Sequence, residues 1–455
     1  MNFLVYDLTF FVLFSLFIAI FLYVKRKQLK REGIIYLYKS NFGLKIIDYI
    51  GKKYKKLLDK AEWLVIIVCY LTMAAVLYLL AKIVYVFLNF PDFVRAIKIP
   101  PIMPLIPYIP EIFKIDFLPP FYFTYWIVVL AITAIVHEFF HGIFSRKNDV
   151  RVKKTGFYFL GPFTGAFVEP DEKQVSKLEF RKKAAIFGAG SFSNWLLTII
   201  FFLIMWGFFV SAYQPAGVMF NSYAFQIANS TDIGEIVGQT SLTFDGQMNL
   251  TEVKIKNETY FVKNASEEGL IVAFEDTAAL RSGLAGIIVE IDDYRVGNYE
   301  DMKEVFANLN PGDEVIIKTL YKQEIKSYEV TLGERNGKPF LGIVLVGSTG
   351  GGIIGRVREA VMFFREPNTY YAPKFFGNLT IFIYNLLWWM VFINLSVALG
   401  NMLPLGIFDG GRFFYITLKE ITKSEKFSKK VFSIVTYFLL FVFLLLMVSW
   451  AFSIF

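Results

Sequence analysis

The stretch Tyr125–His141, YWIVVLAITAIVHEFFH, is an apolar run long enough to enter a bilayer, and His137, Glu138 and His141 lie at its end. These two histidines are the only ones among the 455 residues. On an α-helix, positions i and i+4 share a face and lie about 6 Å apart, so both imidazoles can hold one metal ion while Glu138 reaches a water molecule beside it. Ionisable groups inside an apolar span are costly and mark functional sites. We therefore expect a metal centre here and not two hydrogen-bonded core histidines.

The composition is that of a membrane protein with room for a soluble domain. Hydrophobic residues make up 55% of the chain, aromatic residues make up 18%, and the mean hydropathy is +0.50. Cys69 is the single cysteine, so we expect neither a disulfide framework nor a cysteine-based zinc knuckle. The net charge of +8 could indicate nucleic acid, but the basic residues cluster beside apolar spans. We therefore expect the lipid bilayer, and not nucleic acid, as a partner, and nothing in the composition indicates an oligomeric state.

Six apolar stretches have the length of membrane-spanning helices. They are Phe3–Val24, Trp63–Phe90, Tyr122–Phe144, Ala184–Val210, Thr380–Leu399 and Val431–Phe455. Residues 25–60 carry twelve Lys and Arg against three acidic residues, so the positive-inside rule places this loop in the cytoplasm and the N-terminus outside. The predicted fold class is a polytopic α-helical protein of the cell membrane with about six transmembrane helices. The two histidines lie towards the cytoplasmic end of their helix.

Two segments between the spans are not expected to be helices. Pro91–Pro120 contains PPIMPLIPYIP, with proline at every third residue, the period of a polyproline II helix. We expect an extended strap outside the membrane. Thr155–Pro170, TGFYFLGPFTGAFVEP, is apolar but is interrupted by Gly161, Pro162 and Gly165. We expect a re-entrant hairpin against the metal site, with a surface loop as the alternative.

Residues 211–352 have the composition of a soluble domain, with alternating stretches such as EVKIKNETYFVK that predict strands. Within them, Thr277–Asp293 and the helical pattern Asn298–Asn308 resemble the core of a PDZ domain, which binds a peptide as an added strand at a sheet edge. The predicted topology places this inserted α+β PDZ-like domain outside the cytoplasm. Five segments are expected: 1–120 with two helices, the basic loop and the strap; 121–210 with the histidine helix, hairpin and fourth helix; 211–352, PDZ-like; 353–411 with an interfacial segment and the fifth helix; and 412–455 with a cytoplasmic loop and the sixth helix.

A metal ion held by two imidazoles needs a third protein ligand, which must be a carboxylate or Cys69. Asp409, in NMLPLGIFDGG at 401–411, follows the fifth span at the depth of the histidines. Its hard oxygen would leave a fourth coordination position open, and capping a turn is its alternative role. Asn194, in GAGSFSN at 188–194, is expected to face the helix bundle. It either forms only an interhelical hydrogen bond or has a role in the catalytic site.

Together these motifs resemble the site-two protease family of intramembrane zinc metalloproteases. H-E-x-x-H on a membrane helix is joined by G-x-x-x-x-x-N ending at Asn194, by N-x-x-P from Asn401, by an Asp-Gly pair at Asp409 and by an inserted PDZ domain. The resemblance covers about residues 122–411. One departure is Phe408, where the family often has leucine before the Asp-Gly pair, and this apolar exchange changes little.

The resemblance implies a zinc metalloendopeptidase that cuts single-span membrane proteins within or near their transmembrane segments, the reaction of regulated intramembrane proteolysis. It implies one zinc ion per chain. The site residues that it implies are His137, His141 and Asp409 for zinc, Glu138 as the general base, Asn194 and Asn401 for the substrate backbone or the oxyanion, and Gly161, Pro162 and Gly165 in a substrate-pairing hairpin.

Two other functions stay open at the level of sequence. A zinc or cation transporter would also place histidine and acidic residues in membrane helices, but it would repeat such ligands along a path, and this sequence has a single cluster. A non-proteolytic PDZ scaffold would not need Glu138. In the protease, the PDZ-like domain either excludes bulky substrates or captures a new carboxyl terminus, and we expect size exclusion.

Overall fold

The computed structural model describes residues 3–91, 94, 100–101, 103–113, 115, 118–161, 163–244, 248–256, 258–263, 269–345 and 363–454. Contacts between residues divide the chain into two compact units. Met1–Met205 and Ile381–Phe455 form the first, here named the helical unit, and Trp206–Thr380 form the second, here named the β-rich unit.

Six helices among the described residues are long and apolar enough to cross a membrane, which confirms the predicted number. They are α1 (Phe3–Lys25), α3 (Lys55–Asn89), α5 (Phe123–Lys147), α7 (Phe180–Ala212), α10 (Gly377–Asn401) and α12 (Glu425–Ile454). The described residues of the helical unit also form four shorter helices, α2 (Leu44–Lys53), α4 (Ile109–Ile112), α6 (Glu172–Ser176) and α11 (Asp409–Thr422). Because a helix pairs its own backbone groups, apolar runs of this length are stable in lipid. Their orientation across the membrane stays a prediction.

The basic segment between α1 and α3 is ordered and contributes two strands to a sheet. The strands β1 (Leu29–Glu32) and β2 (Ile35–Ser40) join β3 (Val152–Leu160) and β4 (Phe163–Pro170) in the order β1-β2-β3-β4, and every pair is antiparallel. The hairpin expected at Thr155–Pro170 is therefore present, and it begins earlier, at Val152. Its depth in the bilayer stays a prediction.

The proline-rich segment at 91–120 is anchored to two long helices. The indole N–H groups of Trp126 on α5 and Trp389 on α10 donate to backbone carbonyls of this segment, at 2.8 and 3.0 Å. The expectation of a wholly extended strap is wrong at α4, which forms one helical turn. Pro110 is compatible with this turn because the first helical residues need no intrahelical N–H donor.

The N-terminus of α5 is capped by a carboxylate from another helix. Asp7 of α1 is only 1% exposed. Its Oδ2 accepts hydrogen bonds from the Phe123 N–H at 2.8 Å and the Tyr108 hydroxyl at 2.6 Å, and its Oδ1 accepts from the Thr124 N–H at 2.9 Å and from the Thr124 hydroxyl. Tyr122, at the N-cap position of α5, supplies no side-chain cap. Asp7 therefore satisfies the exposed donors of α5 and joins α1, the strap and α5.

We expect Asp7→Ala to loosen the start of α5, because the N–H groups of Phe123 and Thr124 lose their buried acceptor. Loss of a cap costs about 0.5–2 kcal/mol, so amide exchange at these residues should quicken about twofold to thirtyfold. Hydrogen exchange measured by mass spectrometry on the purified protein tests this. Thr9→Ala, which removes a hydroxyl bonded to the Val5 carbonyl within α1, is the control and should leave both amides protected. Unchanged exchange in Asp7→Ala would contradict the capping role.

In the described part of the β-rich unit there are four antiparallel sheets and two short α-helices. Its strands are β5 (Tyr213–Val218), β6 (Phe220–Tyr223), β7 (Phe225–Asn229), β8 (Ile233–Phe244), β9 (Met248–Ile255), β10 (Glu258–Val262), β11 (Leu270–Glu275), β12 (Ile287–Ile291), β13 (Tyr294–Arg295), β14 (Glu314–Tyr321), β15 (Glu324–Thr331), β16 (Gly333–Arg335), β17 (Lys338–Phe340), β18 (Ile343–Leu345) and β19 (Thr369–Pro373), and its helices are α8 (Ala278–Arg281) and α9 (Tyr299–Ala307). The two larger sheets have the orders β15-β14-β12-β5-β19, with β13 on β12, and β7-β11-β10-β9-β8, and the two-stranded sheets are β16-β17 and β18-β6.

The helical and strand patterns predicted inside this unit are present. The α9 helix falls within Asn298–Asn308, and Asn298 caps it by accepting from the Asp301 N–H at 2.9 Å. Its core includes Leu280 of α8 and Ile288 of β12, both fully buried or nearly so. The α+β character is therefore confirmed, and the PDZ identity stays a proposal. The predicted interfacial segment lies outside the described residues up to residue 362, and β19 belongs to the sheet of this unit.

Candidate metal centre

The three residues expected from the histidine motif lie near the C-terminal end of α5. His137 and His141 are buried, at 7% and 8% exposure. Their spacing of four residues places both imidazoles on one face of the helix, as the sequence predicts. Glu138 is the next residue after His137, so its side chain leaves the helix in a different direction.

Asp409 reaches the same place from the start of α11. Its Oδ2 lies 3.0 Å from His137 Nε2 and 3.1 Å from His141 Nε2. Two glycines follow it, and a Cβ at Gly410 or Gly411 would overlap the backbone of the segment that leads into α11. The Asp-Gly-Gly sequence therefore permits the close turn that brings this carboxylate to the histidines.

Hydrogen bonds on the far side of each imidazole determine which nitrogen faces the centre. His141 Nδ1 lies 2.7 Å from the Ile186 carbonyl oxygen, which can only accept, so Nδ1 carries the proton and Nε2 keeps a lone pair. His137 Nδ1 lies 3.0 Å from Nδ2 of the fully buried Asn194, and Oδ1 of this amide has no hydrogen-bond partner in the described part of the chain. Turning the amide by 180° exchanges its two end atoms and places Oδ1 where it accepts from His137 Nδ1–H. Both Nε2 lone pairs then face Asp409 Oδ2.

Three acceptor atoms this close together fit a cation. The two Nε2 atoms are 3.2 Å apart, so with Asp409 Oδ2 they form a triangle with sides of 3.0–3.2 Å. A tetrahedral zinc ion with bonds of about 2.0–2.1 Å separates its ligand atoms by about 3.3 Å. Among the described residues, His137, His141 and Asp409 form the group suited to a metal ion. Cys69 is not part of it, and its thiol instead donates to the Gly188 carbonyl at 3.4 Å.

Helix α7 reaches the imidazoles because Gly190 has no side chain. A Cβ at this position would overlap Nε2 of both His137 and His141. Gly190 belongs to the small-residue segment 188–194, which predicts close approach to another helix. The structure identifies the histidine side chains as what this segment approaches.

Glu138 is held by the backbone of β4. Its Oε2 accepts a hydrogen bond from the Val168 N–H at 2.9 Å. Within the four-stranded sheet, β4 pairs only with β3, so it is an edge strand, and it packs against α5. The Val168 N–H is therefore directed to the free edge of the sheet, and the free edge lies beside the candidate metal centre.

A cavity of 640 Å³ opens beside Glu138, His141 and Asp409. A cavity of this size can hold several residues of an extended peptide. Its lining combines apolar residues of β4, α7 and α11 with further charged side chains. These are Glu172, Lys183, Arg412 and Lys419.

The remaining predicted site residues do not belong to the ligand group. Asn401 is the last residue of α10 and is half-buried. Gly161 lies in the turn between β3 and β4 with a φ of +60°, which favours glycine, and a Cβ at Gly165 would overlap the tyrosine ring opposite it on β3. Pro162 lies outside the described residues.

Sequence reasoning missed two backbone groups of the site. The Ile186 carbonyl accepts from His141, and the Val168 N–H donates to Glu138. Every residue type except proline supplies both groups, so no motif marks them. The steric requirement at Gly190 is partly visible in the sequence, because this residue lies in the small-residue segment 188–194.

Comparison with known proteins identifies the family. Residues 125–446 match the sequence model of peptidase family M50, the site-2 protease family, and the chain therefore belongs to that family. Members of this family are zinc metalloproteases of membranes, which agrees with the six apolar helices and the three-residue ligand group. The chain is also similar to an uncharacterized protein of Methanocaldococcus jannaschii, with 26% identity over 304 residues. The matched region is 66% of this chain, and it spans 58% of the length of that relative.

We expect Gly190→Ala to weaken metal binding about tenfold to a hundredfold, the usual effect of disturbing the surroundings of metal ligands. The added Cβ would displace the Nε2 atoms of His137 and His141. Metal content measured after dialysis against a graded chelator tests this, with His141→Ala as the reference for lost binding. Gly207→Ala is the matched control, because a Cβ at Gly207 on the same helix meets open space. Equal metal retention in the two glycine variants would contradict the steric argument.

Proposed function

We propose that this protein is an intramembrane zinc metalloprotease that hydrolyses peptide bonds within or near the transmembrane segments of single-span membrane proteins. One zinc ion per chain would be held by His137, His141 and Asp409. The observation that carries the proposal is the buried His-His-Asp group beside Glu138 on a helix of membrane-spanning length. Membership of peptidase family M50 supports the same activity.

The residues around the metal position have distinct chemical tasks. Zinc at this position supplies Lewis-acid chemistry, polarising a peptide carbonyl and lowering the pKa of water. Glu138 takes the proton of the attacking water and passes it to the leaving amine. The Ile186 carbonyl holds His141 in the tautomer that leaves Nε2 free, and the Asn194 amide does this for His137 with its oxygen turned to Nδ1.

A transmembrane substrate must unwind before water can attack, because a helix pairs all its backbone groups internally. We propose that the unwound segment adds to the free edge of β4, where its N–H and C=O groups find new partners. The position of Val168 supports this, since its N–H already serves Glu138 at that edge. We propose that the stretch with Gly161, Pro162 and Gly165 belongs to this substrate-pairing hairpin, with Gly161 in its turn and Gly165 on β4.

The two asparagines of the family pattern receive different proposals. Asn401 is half-buried at the end of α10, and we propose that it contacts the substrate backbone or the oxyanion. The same contact expected for Asn194 stays a prediction. Complete burial and the hydrogen bond to His137 favour a positioning role for Asn194.

The two alternative functions have weaker support. A transporter would be expected to place a second ligand group along its path, and among the described residues one such group is found. A PDZ scaffold without catalysis would not need Glu138 beside the ligand group at a 640 Å³ cavity.

We expect Glu138→Gln to abolish hydrolysis of a single-span substrate while the metal content stays at about one ion per chain. Glutamine keeps the shape of the side chain but cannot accept the proton, and loss of a general base costs about a hundredfold to ten-thousandfold in rate. Turnover in neutral detergent and metal analysis of the same sample provide the measurement. Glu179→Gln, an exposed carboxylate just before α7, is the control. Near-normal turnover by Glu138→Gln would remove the mechanism.

We propose that the β-rich unit includes a PDZ-like domain that lies outside the cytoplasm and excludes substrates with bulky external parts. The motif that resembles a PDZ core coincides with α8, β12 and α9. The clustering of basic residues at 25–60 supports a cytoplasmic location for that loop and an outside location for the N-terminus. An insertion between the fourth and fifth spans then begins and ends outside.

We expect removal of 214–372 to allow cleavage of a substrate with a large external domain. Tyr213 and Pro373 are register partners on β5 and β19, so a short flexible linker can join them across about 5 Å. Cleavage is compared for three substrates, with short tails, a large external domain or a large cytoplasmic domain. The deletion variant should still cleave the short-tailed substrate and should newly cleave only the substrate with the large external domain. Newly gained cleavage of only the substrate with the large cytoplasmic domain would mean that the predicted topology is inverted. Loss of cleavage of all three substrates, with metal retained, would show that the unit delivers the substrate.

A further inference from the structure

The lining of the cavity beside the candidate metal centre includes cations that the proposed chemistry does not use. Lys183 of α7, and Arg412 and Lys419 of α11, line the cavity together with Glu138, His141 and Asp409. Cationic side chains at the mouth of a cleft attract anionic groups and oppose cationic ones.

Two of these cations lie one to two helical turns from the metal centre. Arg412 follows Asp409 by three residues on α11, so both lie on one side of that helix. Lys183 precedes Gly190, which lies against both Nε2 atoms, by seven residues on α7. The two cations therefore approach the centre from different helices, Arg412 with its backbone about 5 Å and Lys183 with its backbone about 10 Å away along the helix axis.

Neither of these two side chains forms an ion pair within the described part of the chain, and Glu172 is a further charged residue of the same lining. Lys419 forms an ion pair with Glu425 at 3.0 Å. Among the described residues, neither Lys183 nor Arg412 has a carboxylate within ion-pair distance, and the Arg412 guanidinium lies over the Phe187 ring at 6.0 Å. Their charges therefore remain available to a molecule in the cavity.

We propose that Lys183 and Arg412 form a subsite for a carboxylate, and that it makes the protein prefer substrates with an acidic side chain near the scissile bond. The proposal rests on the proteolytic function proposed above and adds a substrate class to it. An extended chain advances about 3.3 Å per residue. One to two helical turns from the centre therefore correspond to a substrate residue about two to four positions from the cleaved bond.

The same chemistry admits a second source of the carboxylate. Hydrolysis creates a new carboxyl terminus, which Lys183 and Arg412 could hold in the product. The proposal commits to the substrate side chain, because the two cations lie one to two helical turns away from the metal ligands and not beside them. Product inhibition distinguishes the two sources.

The test uses full-length protein in neutral detergent, which removes anionic lipid headgroups as competitors. Single-span substrates carry Glu, Gln or Lys at one position, scanned from two to four residues on each side of the cleaved bond. An exposed charge pair is worth about 1 kcal/mol at most, or about fivefold, so two cations should give roughly a tenfold preference in kcat/KM for Glu over Lys at one scanned position. The double variant Lys183→Glu with Arg412→Glu should reverse this order.

Matched variants separate the subsite from a general charge effect. Lys182→Glu repeats the charge change of Lys183→Glu one residue away on α7, outside the cavity lining. It should keep the wild-type order of the three substrates. The double variant Lys183→Arg with Arg412→Lys keeps both charges and should also keep the wild-type order. The double variant Lys183→Gln with Arg412→Gln should make kcat/KM equal for the three substrates. Metal content confirms that each variant retains its centre. An order that is the same in wild type and in the double reversal, or an equal loss for all three substrates, would overturn the proposal.

Two further outcomes have a defined meaning. If product inhibition by the amino-terminal fragment disappears on amidation of its new carboxyl terminus, while side-chain charge has no effect on kcat/KM, the cations bind the product and the substrate preference is wrong. If wild type cleaves no substrate while Glu138→Gln behaves identically, the proteolytic function fails and the subsite fails with it. Cleavage without charge dependence removes only the subsite.

Discussion

The structure depends on holding three acceptor atoms together that repel each other unless a cation lies between them. His137 Nε2, His141 Nε2 and Asp409 Oδ2 lie within 3.2 Å of one another. The backbone carbonyl of Ile186 directs the Nε2 lone pair of His141 inward, and the amide of Asn194 does the same for His137 when its oxygen faces Nδ1. The surrounding helices must also leave space for the metal ion. Gly190 of α7 does this, because it has no side chain where the helix lies against the two imidazoles. The ligand group thus combines attraction for a metal ion with a steric requirement on its neighbours.

The helix that carries the histidines is fixed at both ends by charge. Asp7 caps its first turn from α1. At the other end, Lys147 is almost completely buried and forms an ion pair with the fully buried Glu62 of α3, which also pairs with Arg181 of α7 at 2.8 Å. Burying these charges is costly unless they are paired. The histidine ligands therefore lie on a helix whose position is determined by specific partners on α1 and α3, and Glu62 joins α7 to the same ion-pair group.

The sequence predicts what local periodicity and motifs encode. Six spans, the histidine pair and the capped helix at Asn298 follow from spacing within single segments, and family membership agrees with the motifs. The contribution of β1 and β2 to the hairpin sheet was not predicted. The many charged residues at 25–60 interrupt the alternation typical of strands, and β2 is stabilised by its pairing with the distant strand β3. The turn at α4 and the backbone contacts of Ile186 and Val168 depend on tertiary neighbours in the same way. Interactions between distant segments that use backbone atoms leave no trace in residue type.

The four-stranded sheet has two edges, and they differ in character. The outer strand β1 carries Lys30, Arg31 and Glu32 in succession, all exposed, with Lys30 and Glu32 paired at 2.7 Å. Charged edges discourage the addition of another extended chain, which is how many β-proteins avoid aggregation. The opposite edge, β4, carries no such charges from Phe163 to Val168. Two copies of this protein are thus poorly suited to associate through β1, and an incoming strand is left with the edge beside the metal ligands.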